Sequence, residues 1–458
     1  LLGVWGATLS SAIGSILGAP RVLQALARDH VLPRSLRWLG RGTEKDDSPR
    51  IGTIATLLVA LVAVYFGNLN VIAPILTMFF LTTYGVLNIS AGLERFLGSP
   101  SFRPVFRVHW AFSLLGAIGC IWVMLLINAL ATAAATAFII LVFTWLQRRE
   151  LRTAWGDVRQ GIWMTLVRAG LMHIRRIEDP KNWRPHILVL SGAPTSRWYL
   201  IDLANNFTQN RALMTVCTTL TTPDVPVERQ HAMEQNIRDY MLQRGVNSLV
   251  RVFFYEDPFE GARRLVDTYG LGQMVPNTVL LGASENPANE GRYCGMIRHF
   301  YRSRRNVVVV RENEELGFGH HQRIDIWWGG LKANGGLMIV LAYLLQRSMK
   351  WRNARINLKM LTRSEKATEG ALENLRRIIG QMRIDVNLEV VTNSRQDFFE
   401  VLHESSRTAD LVFLGMAEPS EDHDFLSYYR SLQQKTAGLP TTVFVLASQE
   451  MAFEEVLS

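Results

Sequence analysis

LLGVWGATLSSAIGSILGAPRVLQALARD, residues 1–29, is the stretch around which the chain is organised. Its first 19 residues carry no charge; Pro20 and Arg21 end the run, and basic residues then recur every few positions. An uncharged run of that length predicts a membrane helix over about residues 1–19, ending at a water interface. Gly3, Ala7, Ser11 and Ser15 fall at i, i+4 spacing, which lets a neighbouring helix approach closely. The stretch also offers oxygen atoms. The Ala7 carbonyl and the Ser10 and Ser11 hydroxyls lie within about one helical turn. Neutral oxygens of this kind suit a small hard cation. On spacing alone, packing and ion binding both stand.

Outward from this stretch the chain divides by texture. It has 458 residues, 48% of them hydrophobic, and the long uncharged runs all precede about Gln147. Further spans are predicted at 51–66 (IGTIATLLVALVAVYF), about 71–93, 110–128 and 129–146, the last two nearly back to back at Asn128. Loop 20–50 carries Arg21, Arg28, Arg34, Arg37, Arg41, Lys45 and Arg50, whereas 67–70 (GNLN) carries no basic residue. Arg95, Arg103 and Arg107 follow the third span; the 128–129 turn is uncharged; Arg148, Arg149 and Arg152 follow the last. The alternation puts the basic loops and everything after Gln147 in the cytoplasm. It also accounts for the net charge of +9 without a nucleic-acid partner, for which no binding signature appears. The five spans contain no Asp, Glu, Lys or Arg, so they offer no proton relay and no charged substrate pocket. The three cysteines, Cys120, Cys217 and Cys294, are far apart and form no CxxC, disulfide framework or zinc pattern.

Residues 147–185 read as amphipathic connector helices closed by Pro185. From His186 short apolar runs alternate with helix-length polar stretches. The runs are 186–192, 212–220, 248–255, 277–283 and 306–312, and then 324–330, 355–361, 386–391, 410–416 and 441–447. This is βαβ texture and predicts a mainly parallel sheet. Two sets of five predict a duplication, with halves at 186–312 and 323–458. No phosphate-binding glycine motif follows a strand; Gly282 and Gly415 merely end strands. A structural, dimerising role is therefore expected rather than nucleotide binding. His320 and His321 lack further ligands nearby and read as a solvated loop; Arg302, Arg304 and Arg305 read as a solvated helix end. No nucleophile, base and oxyanion donor combine into a catalytic site, so no enzyme is expected.

Five segments carry a family resemblance: ATLSSAIGSILGAPRVLQALARDHVLP (7–33), NVIAPILTMFFLTTYGVLN (70–88), SPSFRPVFRVHW (99–110), KNWRPHILVLSGAPTSR (181–197) and RIDIWWGGLKANGGLM (323–338). In order, and over essentially the whole chain, they resemble the cation–chloride cotransporters of the amino acid–polyamine–organocation superfamily. The resemblance implies the last five spans of a twelve-span inverted-repeat transporter, followed by a cytoplasmic α/β domain of two halves similar to universal stress proteins. The start at Leu1, inside an apolar run, fits spans eight to twelve, with the broken first and sixth helices lying upstream. The resemblance implies sodium binding at Ala7, Ser10 and Ser11, the Ala-x-x-Ser-Ser pattern of sodium-coupled members. It also implies chloride binding by the Tyr84 hydroxyl; by itself Tyr84 equally suits a phenol bonded to a neighbouring helix. It implies a symporter of sodium, with potassium, and chloride working by alternating access, needing no cofactor and no metal beyond sodium. It further implies surrounding membrane lipids, a homodimer formed through the cytoplasmic domain, and a place in the plasma (inner) membrane. The alternatives are a related amino acid permease and a membrane-anchored α/β sensor or scaffold.

Overall fold

The computed structural model describes residues 2–29, 31–43, 47–97, 108–148, 158–174, 181, 183–221, 225–284, 286–329, 332–382, 384–392, 397–420, 424–448 and 456. Lys45, most of the 99–110 segment with Arg103 and Arg107, and Arg149, Arg152, Trp155, Asn182 and Gly330 lie outside them. The chain divides into two units, Leu1–Gly170 and Leu171–Ser458.

The first unit is helical. Helix α1 (Leu2–Arg28) does not stop at the predicted interface but continues through Pro20 to Arg28. The reason is tertiary. Pro20 is buried beside Gly52 of α2 (Arg50–Phe66), where a Cβ would come within 3.2 Å of the Pro20 carbonyl. Beyond Pro20 the helix is held by its loop: Arg28 Nε donates to the Gly40 carbonyl at 2.9 Å and the guanidinium pairs with Asp47. That hydrogen bond holds the Asp47 carboxyl below its usual range and raises the Arg28 guanidinium.

Gly67 and Asn68 separate α2 from α3 (Leu69–Leu97). Helix α3 packs on α4 (Trp110–Ile127) through small residues, with Gly85 facing Cys120, Gly92 facing Ser113 and Gly116 facing Asn88. Asn128, in extended conformation at φ −163°, breaks α4 from α5 (Ala129–Arg148), and its Oδ1 accepts from the Ala131 amide at 3.0 Å. Helix α6 covers Val158–His173. Ile72–Leu97 and Trp110–Ile127 are long and apolar enough to cross a membrane by length and composition; α2 and α5 carry shorter apolar stretches. Large apolar side chains such as Leu115, Leu126 and Leu130 stand exposed along these helices.

The second unit is one ten-stranded sheet. Each of the ten apolar runs forms a strand: β1 (Ile187–Leu190), β2 (Met214–Leu220), β3 (Leu249–Phe254), β4 (Thr278–Gly282), β5 (Asn306–Arg311), β6 (Arg323–Trp327), β7 (Arg355–Thr362), β8 (Asn387–Thr392), β9 (Leu411–Gly415) and β10 (Thr442–Leu446). The spatial order is β3-β2-β1-β4-β5-β10-β9-β6-β7-β8. Each half has the same order about its first strand, and β5 and β10 join the halves antiparallel, from Arg311↔Thr442 to Val307↔Leu446. The remaining pairs are parallel.

Helices α7 (Trp198–Thr208), α8 (Val227–Gln243), α11 (Lys332–Gln346) and α12 (Glu365–Met382) cover one face. Helices α9 (Pro258–Thr268), α10 (Glu290–Arg302), α13 (Phe398–Ser406) and α14 (Phe425–Lys435) cover the other. Burial on both faces is why the strands read as continuous apolar runs; Val307 to Val310 are all fully buried.

The linker between the halves is held rather than loose. Asp410 accepts the backbone amides of His320, Gln322 and Arg323 at 2.7–2.9 Å. Gly319, at φ +53°, is required there, because a Cβ would strike the Asp410 carboxylate. The predicted solvated loop is corrected at His321. Its ring lies edge-on to Trp351 at 4.6 Å, and burial lowers its pKa. Likewise Arg302 and Arg304 are exposed but Arg305 is half-buried, and burial lowers its pKa.

One buried polar network crosses half two. Asp325 accepts from Arg323 Nε at 3.0 Å, Asn357 Nδ2 at 2.8 Å and Ser406 Oγ at 2.9 Å, and lies 3.2 Å from the fully buried Lys359 ammonium. Lys359 also donates to the Ser405 carbonyl at 2.9 Å and reaches Glu389 at 3.3 Å. Removing one partner of such a pair strands a charge in the core. Asp325→Ala is expected to destabilise the sheet by about 3–5 kcal/mol, and adding Lys359→Met to recover part of that loss. Urea midpoints and amide exchange of β6 and β7 measure both.

Candidate functional site

The four residues singled out in the helical unit sit on two helices. Ala7, Ser10 and Ser11 lie on α1, on one face because they are three and four positions apart. Tyr84 lies mid-way along α3, with its ring 6.5 Å from Phe80. Helix α1 packs on α2, and α3 on α4 and α5, so the described structure does not bring the serines and Tyr84 together.

Their hydroxyls differ from those of the nearby threonines, as do those of Ser15, Ser90 and Ser113, which also carry no side-chain hydrogen bond among the described residues. Thr8, Thr77 and Thr83 each fold back onto a carbonyl four residues earlier at 2.8 Å. Among the described residues, the Ser10, Ser11 and Tyr84 hydroxyls have no hydrogen-bond partner. They are exposed on helices whose other side chains are largely apolar, and a hydroxyl taken into an apolar medium unpaired costs several kcal/mol. These oxygens are thus free to take a neighbouring group or an ion.

The α/β unit contains a second feature. In half one the winding reverses between β1 and β4, and a crevice opens at the C-terminal ends of these strands. It encloses about 310 Å³, with Leu190, Cys217 and Phe259 as apolar wall and Arg197, Ser284 and Asn286 at its polar side. Burial pushes the Cys217 thiol up to about 12, and raises the Tyr293 phenol well above its usual value. Neither supplies an anionic nucleophile at neutral pH.

In half two the same place is filled. Trp327 pairs with Lys359 in the sheet as Leu190 pairs with Cys217 in half one. The Trp327 ring meets Phe398 at 5.4 Å and Lys359 lies 5.8 Å above it. On the other face Asn334 bridges the Met416 carbonyl and the Ala447 amide. Reading for motifs missed this contrast. The available signal was a charged residue inside each of two apolar strands, Asp325 in RIDIW and Lys359 in RINLKMLT.

Comparison with known proteins bears on both units. The family model described as Solute carrier family 12 matches residues 197–323 and 318–398, and that described as Amino acid permease matches 1–187. Human solute carrier family 12 member 2 is 33% identical over 333 residues, covering 70% of this chain and 27% of the relative. Member 1 from human is 29% identical over 71% of the chain, and member 3 from Pseudopleuronectes americanus 28% over 77%.

Over these stretches the chain is similar to members of solute carrier family 12. It spans about 27% of the length of the first of these relatives. Carriers of this family are not enzymes and need no cofactor; the ions they carry are their substrates. Among solved structures, the cytoplasmic domain of a prokaryotic cation chloride cotransporter aligns with 60% of the chain at 18% identity and a TM-score of 0.44. A universal stress protein from Archaeoglobus fulgidus aligns with 57% at 10% identity and 0.41.

The thiols give a direct test of this geometry. Burial pushes Cys294, like Cys217, up to about 12, against an ordinary 9.0, so each holds about a thousandfold less thiolate near neutral pH. Alkylation by iodoacetamide is expected to be slowed by at least that factor at both in the folded protein and to recover in urea. Mass spectrometry of the two peptides reads it.

Proposed function

We propose that this chain is part of a secondary active symporter that moves sodium, with potassium, together with chloride by alternating access. In this proposal α1 to α5 span the membrane, at the cell surface or bacterial inner membrane, and the α/β unit is cytoplasmic. The observation that carries the proposal is the grouping of two unpartnered hydroxyls, Ser10 and Ser11, within one turn of the Ala7 carbonyl, together with the unpartnered Tyr84 phenol. Ser10 and Ser11, with the Ala7 carbonyl, present neutral oxygens on one helical face, the donor set a small alkali cation prefers. Tyr84 presents a neutral O–H donor, which holds an anion without placing a fixed charge in lipid.

Two further observations support the membrane assignment. The exposed Leu and Ile side chains of α2 to α5 would be an aggregation liability in water but match hydrocarbon. Helix α1 is long, yet its glycines, serines and threonine make it less apolar than α3 and α4. A helix of that composition belongs among other helices rather than against lipid. The α/β unit serves as the dimerising platform of the transporter in this reading. A second reading, an amino acid permease, draws on the Amino acid permease match over 1–187.

The test uses the full-length protein in proteoliposomes. Ser10→Ala with Ser11→Ala is expected to raise the sodium concentration for half-maximal chloride uptake at least tenfold, since an interaction between a hydroxyl oxygen and a charged group is worth about 1.5–3 kcal/mol. Tyr84→Phe is expected to raise the chloride requirement in the same way while leaving the sodium requirement near wild type. Uptake unaffected by replacing sodium with choline would overturn the proposal; amino acid uptake independent of chloride would establish the second reading.

A further inference from the structure

The seam between the two halves of the α/β unit holds a second cavity, of about 230 Å³, beside helices α7 and α11. Phe207, Val340 and Tyr343 contribute an apolar floor. Arg184, Arg211 and Arg347 reach it from three different segments: the approach to β1, the turn after α7 and the turn after α11. No carboxylate lines it among the described residues.

The three guanidiniums differ from the arginines of this unit that sit in ion pairs. Arg263, Arg264, Arg292, Arg323 and Arg430 each pair with a carboxylate. Arg211 and Arg347 have neither an ion pair nor a side-chain hydrogen bond among the described residues, and Arg184 has a single bond, to the Trp183 carbonyl at 3.0 Å. The ordinary explanation is compensation of the helix ends, because Arg211 and Arg347 follow the C-termini of α7 and α11. Each end carries about half a negative charge. Among the described residues, three positive charges less two halves leave about +2 around one cavity. Among the described residues Arg184 follows no α-helix end directly, so its presence is not explained in that way.

We propose that this seam is a binding site for a phosphomonoester dianion, with the guanidiniums on the phosphoryl oxygens and the attached body against the Phe207 and Tyr343 rings. Guanidinium forks match phosphoryl oxygens in pairs, and a dianion neutralises the residual charge. The floor favours an apolar or ring-bearing body over bare phosphate. Because the cavity joins elements of both halves, the bound anion ties α7 to α11. A soluble phosphomonoester and a lipid headgroup share this chemistry.

The full chain in detergent, and reconstituted in phosphatidylcholine, tests the site with three probes: inorganic phosphate, phenyl phosphate and phosphatidic acid. Melting temperature and isothermal titration are the readouts, against potassium chloride at matched ionic strength. At saturation, phenyl phosphate is expected to raise the melting temperature by a few degrees and to bind more tightly than inorganic phosphate. Arg211→Gln with Arg347→Gln is expected to weaken binding at least tenfold, Arg347→Lys by less, and Arg238→Gln on the exposed face of α8 not at all. Arg211 and Arg347 are both exposed, and circular dichroism verifies that the variants fold. A response to phenyl phosphate identifies a soluble source; a response to phosphatidic acid alone identifies a headgroup. Chloride producing the same shift, an undiminished response in the double variant, or no response to any probe would overturn the proposal.

Discussion

The α/β unit depends on the antiparallel pairing of β5 with β10. Five register pairs, from Arg311↔Thr442 to Val307↔Leu446, turn two five-stranded sheets into one. Both strands are fully buried along almost their whole length, so each would otherwise present an apolar edge to water. Arg311 secures the seam from the side: its guanidinium donates to the Thr436 hydroxyl at 2.9 Å and to the Gln433 carbonyl at 3.2 Å. The seam also sets α7 and α11 side by side, and with them the arginine-lined cavity.

A duplicated fold has two equivalent switch-point crevices, and this chain treats them differently. In half one small side chains such as Cys217 and Ala262 leave the space open. In half two Trp327, Phe398 and Lys359 occupy it. Filling the space with a lysine required a partner for its charge, and Asp325, Glu389 and Ser405 supply it. Such a network is weak evidence for net stability, since apolar residues of the same volume would serve as well. Its effect is to hold one arrangement of β6, β7, β8 and α13.

The helical unit follows a different logic. Its helices meet through glycine, alanine and serine, which allow close approach, while the bulky side chains face outward. Where the apolar surface points out, polar groups inside the helices must be satisfied locally. The threonines achieve this by bonding to their own backbone. The hydroxyls of Ser10, Ser11 and Tyr84 do not, nor do those of Ser15, Ser90 and Ser113; what sets Ser10 and Ser11 apart is their place within one turn of the Ala7 carbonyl.

The sequence by itself determined the helices and the strands. An uncharged run or a run of β-branched residues has few ways to hide, so residues such as Val307 to Val310 announce a strand buried on both faces. It also pointed to the break near Asn128, because the uncharged run from 110 to 146 is too long for a single span. Only the tertiary structure decided that α1 runs through Pro20 to Arg28, because Gly52 and Asp47, distant in sequence, hold it. Tertiary structure alone also decided that the halves fuse through β5 and β10, that one crevice is filled, and that His321 lies against Trp351. These depend on which surfaces meet, and local periodicity carries no record of a partner far along the chain.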